Sequence, residues 1–394
     1  MSKLLIDVGS TYFKASSNGK IEQFFRNFDK TIEDDLKEKC GELIASFQKE
    51  DIYICSSANG GLSTLIIGAT NSFSLKFATN IAYNSGINII DTILYSNIKE
   101  YAIPSELIDV VIISGGIDSV SGIFDKTLIK YLERINYSNI VYVGSEKEAK
   151  FMSENIKNIV ILDNIVNNKL KVEEDGLKHY LTNLYQADII GKEDIKELYH
   201  ITANQIYSTP YIVNSSLENL YKKFDVVDPY ILIDIGGATT DIHYSTDLVY
   251  DNMVQDSGYD RLVLKKLGVY KSRDSLVFAA KNNEFVYELL NFLNVTENIL
   301  KERSEVATKV LMQLSIFLVL YKVSSHHDGY ITLDVERLNS IVFTGGITKV
   351  LSFDDIELIL NFFYKKILGF SQIPTIIIDI EYKIWTIGVE DVSK

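Results

Sequence analysis

Asp7 and Asp234 each sit at the end of a short apolar run, and a glycine follows each two residues later. The first run reads Leu4-Leu5-Ile6-Asp7-Val8-Gly9-Ser10-Thr11; the second reads Ile231-Leu232-Ile233-Asp234-Ile235-Gly236-Gly237-Ala238-Thr239-Thr240-Asp241. A glycine turn after a buried strand lets the backbone approach a ligand, and its free N–H groups suit phosphate oxygens. Hydroxyls add donors, and a carboxylate at the strand end suits hydrated Mg2+. The chemistry implied is the binding of a phosphate chain with its metal ion. Gly9, Ser10 and Thr11 would cradle one part of the chain; Gly236, Gly237, Ala238, Thr239 and Thr240 would take the other. Asp7 and Asp234 would converge on the metal. Asp241, with Asp7, would serve the chemical step by orienting the attacking water. A third glycine pair, Gly345-Gly346, follows the apolar Ser340 to Phe343 and leaves room for a flat base or ribose. A plain glycine-rich β-hairpin is the alternative for any one of these stretches; their repetition argues against it.

The elements that must hold these groups follow from periodicity. Leu4 to Val8, Tyr12 to Ser16 and Ile21 to Arg26 predict three strands, the last two joined by the hairpin pair Asn18-Gly19. Leu36, Cys40, Leu43, Ile44 and Phe47 share one helical face. From Asp109 the pattern alternates strand and helix through Leu162, the signature of a parallel sheet. Residues 164–225 predict mainly helices, broken at Ser208-Thr209-Pro210. Strands at 230–235, 239–245 and 248–254 then repeat the opening order. Helices follow to about Tyr321, then strands at Ser340 to Phe343 and Thr375 to Ile380, and a short helix from Trp385 to Val389.

The chain of 394 residues exceeds one ordinary core and implies at least two domains. Its net charge of −14, without a basic block, argues against nucleic-acid binding. Its most apolar run, Val310 to Tyr321, is too short to span a membrane and predicts a buried helix. Cys40 and Cys55 lack ligand spacing and predict free thiols; with an opening that runs straight into a strand, they predict a cytoplasmic protein. His243 reads as a core histidine, Trp385 as core, and His326-His327-Asp328 as a polar loop without metal-ligand spacing.

Two phosphate hairpins in order, with a later Gly-Gly turn, resemble the actin, Hsp70 and sugar-kinase superfamily. The resemblance implies an α/β protein of actin-like ATPase fold, with two related RNase H-like domains around a nucleotide cleft. They would be residues 1–225, including an added α/β region near 51–163, and residues 226–394. ATP and Mg2+ are the implied cofactors. The series Ser56-Ser57-Ala58-Asn59-Gly60-Gly61-Leu62, Ile112-Ile113-Ser114-Gly115-Gly116-Ile117-Asp118, Ser208-Thr209-Pro210 and Asp234 to Asp241 is similar to a narrower group. That group is the MutL or GlmL family, the accessory proteins of adenosylcobalamin-dependent glutamate (methylaspartate) mutase. It implies a corrinoid-dependent mutase subunit as partner and a chaperone-like reactivating role. ATP would close the cleft, loss of its γ-phosphate would release it, and the activity would be a weak Mg-dependent ATPase. A small-molecule kinase of the same fold, with Asp118 or Asp241 as base, and an actin-like filament protein are the other functions open to it. Client and oligomeric state are left open. Ile113 to Ile117 nearly copies Phe343 to Ile347, and either could form the adenosine turn; chain order favours 344–348.

Overall fold

The computed structural model describes residues 3–9, 11–57, 62–85, 87–104, 107–191, 193–237, 239–249, 258–264, 267–270, 272–324 and 332–392. The chain opens with β1 (Leu4–Val8), β2 (Tyr12–Ser17) and β3 (Lys20–Phe25), then helix Ile32–Ala45 and β4 (Ile52–Ser56). Thr31 caps that helix by accepting from the Asp34 N–H, and three acids fill its first turn, where the helix dipole favours them. An inserted unit follows: β5 (Ser63–Gly68), β6 (Asn88–Leu94), β7 (Ile108–Ser114), β8 (Tyr137–Tyr142) and β9 (Val160–Ile161). These pair in the parallel order β6-β5-β7-β8-β9. Helix Asp175–Gly191 and the two-residue β10 (Tyr207–Ser208) return the chain to the first sheet, and helix Thr209–Ser216 leaves it. The second half supplies β11 (Tyr230–Ile235), β12 (Thr240–Ser245), β13 (Tyr259–Leu264), β14 (Ser340–Gly345) and β15 (Thr375–Ile378).

The two mixed sheets have one topology. The first runs β3-β2-β1-β4-β10 and the second β13-β12-β11-β14-β15. In each, the second strand of the trio is antiparallel to its neighbours and the fourth is parallel to the first. This is the RNase H-like order stated twice, and it makes the fold actin-like.

One face of each mixed sheet packs away from the other sheet. Leu4, Ile6, Val8 and Phe13 point into one core, and Ile231, Ile233, Ile235 and Phe343 into another, which helix Glu305–Ser324 covers. That helix is long and apolar enough to cross a membrane by composition, but most of it is buried in the protein. The opposite faces meet in a shared layer: Leu5 and Cys55 from the first sheet, Leu232 and Val342 from the second. Ile212 and Trp385 come from the intervening helices Thr209–Ser216 and Ile384–Val392. Each buried side chain of this kind contributes about 1.5–3 kcal/mol, so the layer fixes how the strand ends face one another.

Three features differ from expectation. The third strand of the second trio is Tyr259–Leu264, not 248–254; Val249 makes only a bridge to Leu333, and 250–257 lie outside the described residues. Ser208-Thr209-Pro210 starts a helix instead of breaking one: Ser208 accepts from the Tyr211 N–H, and Pro210 sits in the first turn, where its missing N–H costs nothing. The parallel sheet begins at Ser63, since β4 pairs with β1. Ala58 to Gly61 and His326-His327-Asp328 lie outside the described residues.

Candidate functional site

The two hairpins close in the same way. Gly9 N–H donates to Tyr12 O at 2.9 Å, and Gly236 N–H donates to Thr239 O at 2.9 Å. Strand register then sets a partner opposite each acid: Lys14 across from Asp7, Asp241 across from Asp234. Lys14 thus stands where the second hairpin carries an acid, and sequence reasoning had assigned it nothing. Its ammonium lies 2.9 Å from Asp7 Oδ2, while Thr209 Oγ1 donates to Asp7 Oδ1 at 2.6 Å and the Cys55 thiol approaches the same oxygen at 3.6 Å. Asp7 is 1% exposed. Burial pulls the Lys14 pKa down, but the Asp7 and Asp234 charges outweigh it and hold the ammonium firmly protonated. Removing one member of a buried pair leaves an uncompensated charge, which costs about 3–5 kcal/mol. Lys14→Met is therefore expected to lower the unfolding free energy measured in urea by an amount in that range. Adding Asp7→Asn should recover part of the loss; no recovery would mean that packing, not charge, holds Lys14 there.

Asp234 faces the same point from the second sheet. Asp234 is half-buried, and no hydrogen bond to its carboxylate is found among the described residues. Burial pushes its pKa up to about 7, against the pull of Lys14 and with the help of Asp241, Asp7 and Asp379. Gly345 makes this position possible: a β-carbon there would overlap Asp234 Oδ1, and its φ of 84° lies in the left-handed region. The space beside Gly345 therefore goes to the Asp234 carboxylate, while Gly346 begins a short turn over Gly346–Lys349. Asp379 is buried behind it, accepting from Thr344 Oγ1 at 3.0 Å and from the N–H groups of Lys383 and Ile384 at the start of helix Ile384–Val392.

Asp241 is drawn toward Arg261 on β13, whose Nε lies 3.1 Å from Asp241 Oδ1; Thr239 Oγ1 donates to Oδ2 at 3.2 Å. Placing the third strand at 248–254 had hidden Arg261. The Thr240 hydroxyl donates to Leu267 O at 3.1 Å, on the core side of the sheet. His243 is core, its Nδ1 3.0 Å from Asn214 Oδ1, and burial holds its pKa well below the usual value. The turn at 114–118 ends β7 in the inserted sheet, apart from both hairpins, and Ile123 and Phe124 fill the space at Gly115 and Gly116. Ser10 and Ala238 lie outside the described residues.

The donor set suits a phosphate chain. Thr11 Oγ1, in the first turn, is buried and has no hydrogen-bond partner among the described residues, at the place expected to face phosphate. A single uncommitted carboxylate also fits an ion held mainly by phosphate and water; among the described residues no three acidic, histidine or cysteine ligands converge on one point.

The family model described as MutL protein matches residues 3–313. This chain belongs to the MutL family. The MutL match takes in the first mixed sheet, the inserted sheet and both glycine hairpins, and ends before Gly345. Protein MutL of Clostridium tetanomorphum is 24% identical in an alignment 272 residues long that covers 62% of this chain. The match spans 58% of that relative's length. Among solved structures, the activator of the 2-hydroxyisocaproyl-CoA dehydratase from Clostridium difficile, with bound ADPNP, is 9% identical with a TM-score of 0.32, covering 98% of this chain and 92% of its own. An archaeal actin homolog, Ta0583, is 13% identical with a TM-score of 0.31, covering 100% of this chain and 99% of its own. Overlays this loose add nothing to the strand orders, on which the fold assignment of this MutL-family chain rests.

Proposed function

We propose that this MutL-family protein binds Mg-ATP between its two hairpins and acts as an accessory, reactivating factor for an adenosylcobalamin-dependent mutase. The observation that carries the nucleotide half is the pair of matched turns, Gly9–Tyr12 and Gly236–Thr239, which bring Asp7 and Asp234 to either side of Lys14. Family membership carries the mutase half.

The groups would divide as follows. Turn N–H groups of Thr11, Gly237 and Thr239 receive phosphate oxygens, with the Thr11 hydroxyl beside them; the N–H of Gly9, which was expected to join them, is held by Tyr12 O. Asp234 takes the metal side, with Asp7 next to it. Lys14 swings from Asp7 toward phosphate, trading one anion for another. Mg-ATP, when bound, would supply a γ-phosphate that donors of both hairpins could hold and that leaves as phosphate on hydrolysis. Asp241, held by Arg261, orients water at the second hairpin. Asp379 joins the end of β14 to helix Ile384–Val392, so a change at Asp234 reaches the layer between the sheets. Neither acid nominated as a kinase base stands free: Asp241 is beside Arg261, and Asp118 accepts from Asn164 at 2.9 Å.

The test uses purified chain with glutamate mutase trapped on an inactive corrinoid. Added Mg-ATP and adenosylcobalamin are expected to restore mutase turnover, and a nonhydrolysable analogue is expected to fail. ATP turnover that rises only with a small-molecule acceptor, or ATP-dependent pelleting as filaments, would replace this reading.

A further inference from the structure

Tyr382 stands just before helix Ile384–Val392, and its φ of 56° lies in the left-handed region. A bulky side chain rarely takes that conformation, so the surroundings must hold it there. Its N–H donates to Asp379 O at 3.2 Å, closing the turn that offers the Lys383 and Ile384 N–H groups to Asp379. The residue is buried, and two ammonium groups lie over its ring: Lys14 Nζ 5.1 Å and Lys349 Nζ 4.9 Å from the centroid. They come from opposite halves of the chain, Lys14 from β2 and Lys349 from the turn after β14. Like charges do not gather at one point without an attraction, and the electron-rich face of an aromatic ring supplies it. Lys349 is anchored besides by donating to Ile380 O at 3.0 Å. Lys14 is divided. Asp7, on its own sheet, holds it from one side; the ring and Asp234, both from the second half, draw it from the other.

We propose that Tyr382 is a positioning residue for the phosphate chain: its ring steers the Lys14 ammonium toward the second hairpin, where it meets a phosphate oxygen. This inference rests on the Mg-ATP reading above and adds the group that aims its lysine. A lysine side chain has many rotamers, and ordering it on binding costs affinity. Lys14 trades Asp7 for phosphate while the ring contact stays, so the side chain is already ordered before the nucleotide arrives. Because the same ring carries Lys349, the turn after β14 and the first hairpin are tied through one side chain. The ring face does this work; the hydroxyl of Tyr382 has no part in it.

The experiment compares Tyr382→Phe with a full chain carrying pentafluorophenylalanine at position 382. The two rings have nearly the same shape, but fluorination reverses the charge of the ring face, so packing is kept while the attraction for ammonium is lost. Mg-ATP is titrated into each by calorimetry. Tyr382→Phe is expected to keep the wild-type Kd within about twofold, and the fluorinated ring to raise it roughly 5- to 30-fold. The same difference is expected in a Lys349→Met background, since Lys14 carries the effect. The proposal is overturned if the fluorinated chain binds Mg-ATP as tightly as Tyr382→Phe. It is equally overturned if Tyr382→Phe is already as weak as the fluorinated chain, which would assign the effect to the hydroxyl. A difference that vanishes with Lys349→Met overturns it too, because the ring would then act through Lys349. If the wild type itself shows no saturable Mg-ATP binding, the reading of the hairpins fails first and this inference falls with it.

Discussion

Gly388→Val is expected to cost the protein roughly 3 kcal/mol or more, read as a lower urea midpoint. Helices Thr209–Ser216 and Ile384–Val392 cross at this residue, and a β-carbon on Gly388 would overlap the main-chain oxygen and carbon of Ile212. The obstacle is backbone, so no rotamer change relieves it, and the helices must separate. Separation opens the layer that holds Leu5 and Cys55 against Leu232, Val342 and Trp385. Glycine in mid-helix itself costs about 1 kcal/mol relative to alanine, and the chain carries that cost here. Gly388→Ala sets that gain against the overlap, and the overlap is expected to win. A midpoint unchanged by valine would show that the helices do not cross at Gly388. The same variant is expected to bind nucleotide more weakly, because this layer aligns the two hairpins.

Much of this arrangement is legible in the sequence because it rests on local rules. The strands carrying Asp7 and Asp234 are apolar on both faces, their turns are marked by Gly9 and Gly236, and the echo between the halves predicts two related sheets. The residues that escape are those whose meaning lies in register. Lys14 is an unremarkable lysine until β2 folds back and places it across from Asp7; laying the hairpins side by side, with Lys14 at the place of Asp241, was the available signal. Arg261 escapes because the sequence reading puts the third strand at 248–254, whereas that strand is Tyr259–Leu264. Two residues of strand, Tyr207–Ser208, are too short for any period to show, and Ser208 reads from the sequence as the start of a helix break. Gly345 was correctly placed at a strand end, but what fills its space is the Asp234 carboxylate, a contact between elements far apart in the chain.

Asp234→Asn separates stability from function in opposite directions. An unfolded chain ionises this carboxyl near the ordinary 3.8, whereas burial raises it to about 7 in the folded protein. Between those values the folded state holds a proton that the unfolded state has released. Its contribution to stability is thus present at low pH and falls as pH rises from about 4 to about 7, and it stays lost above. Asparagine has nothing to titrate. The variant should match the wild type near pH 4, lack that downward slope, and show the higher urea midpoint at pH 8. Nucleotide binding should move the other way, because the amide carries no charge to set against hydrated Mg2+; Mg-ATP affinity is expected to fall roughly 10- to 100-fold. Asp234→Ala should lose Mg-ATP as well. If affinity is unchanged in the asparagine variant, Asp234 is not on the metal side. If the pH slope persists, the proton belongs to Asp379, the neighbouring acid whose pKa burial also raises. A protein made steadier by losing the group its ligand requires would mark Asp234 as a carboxylate kept in place for that ligand.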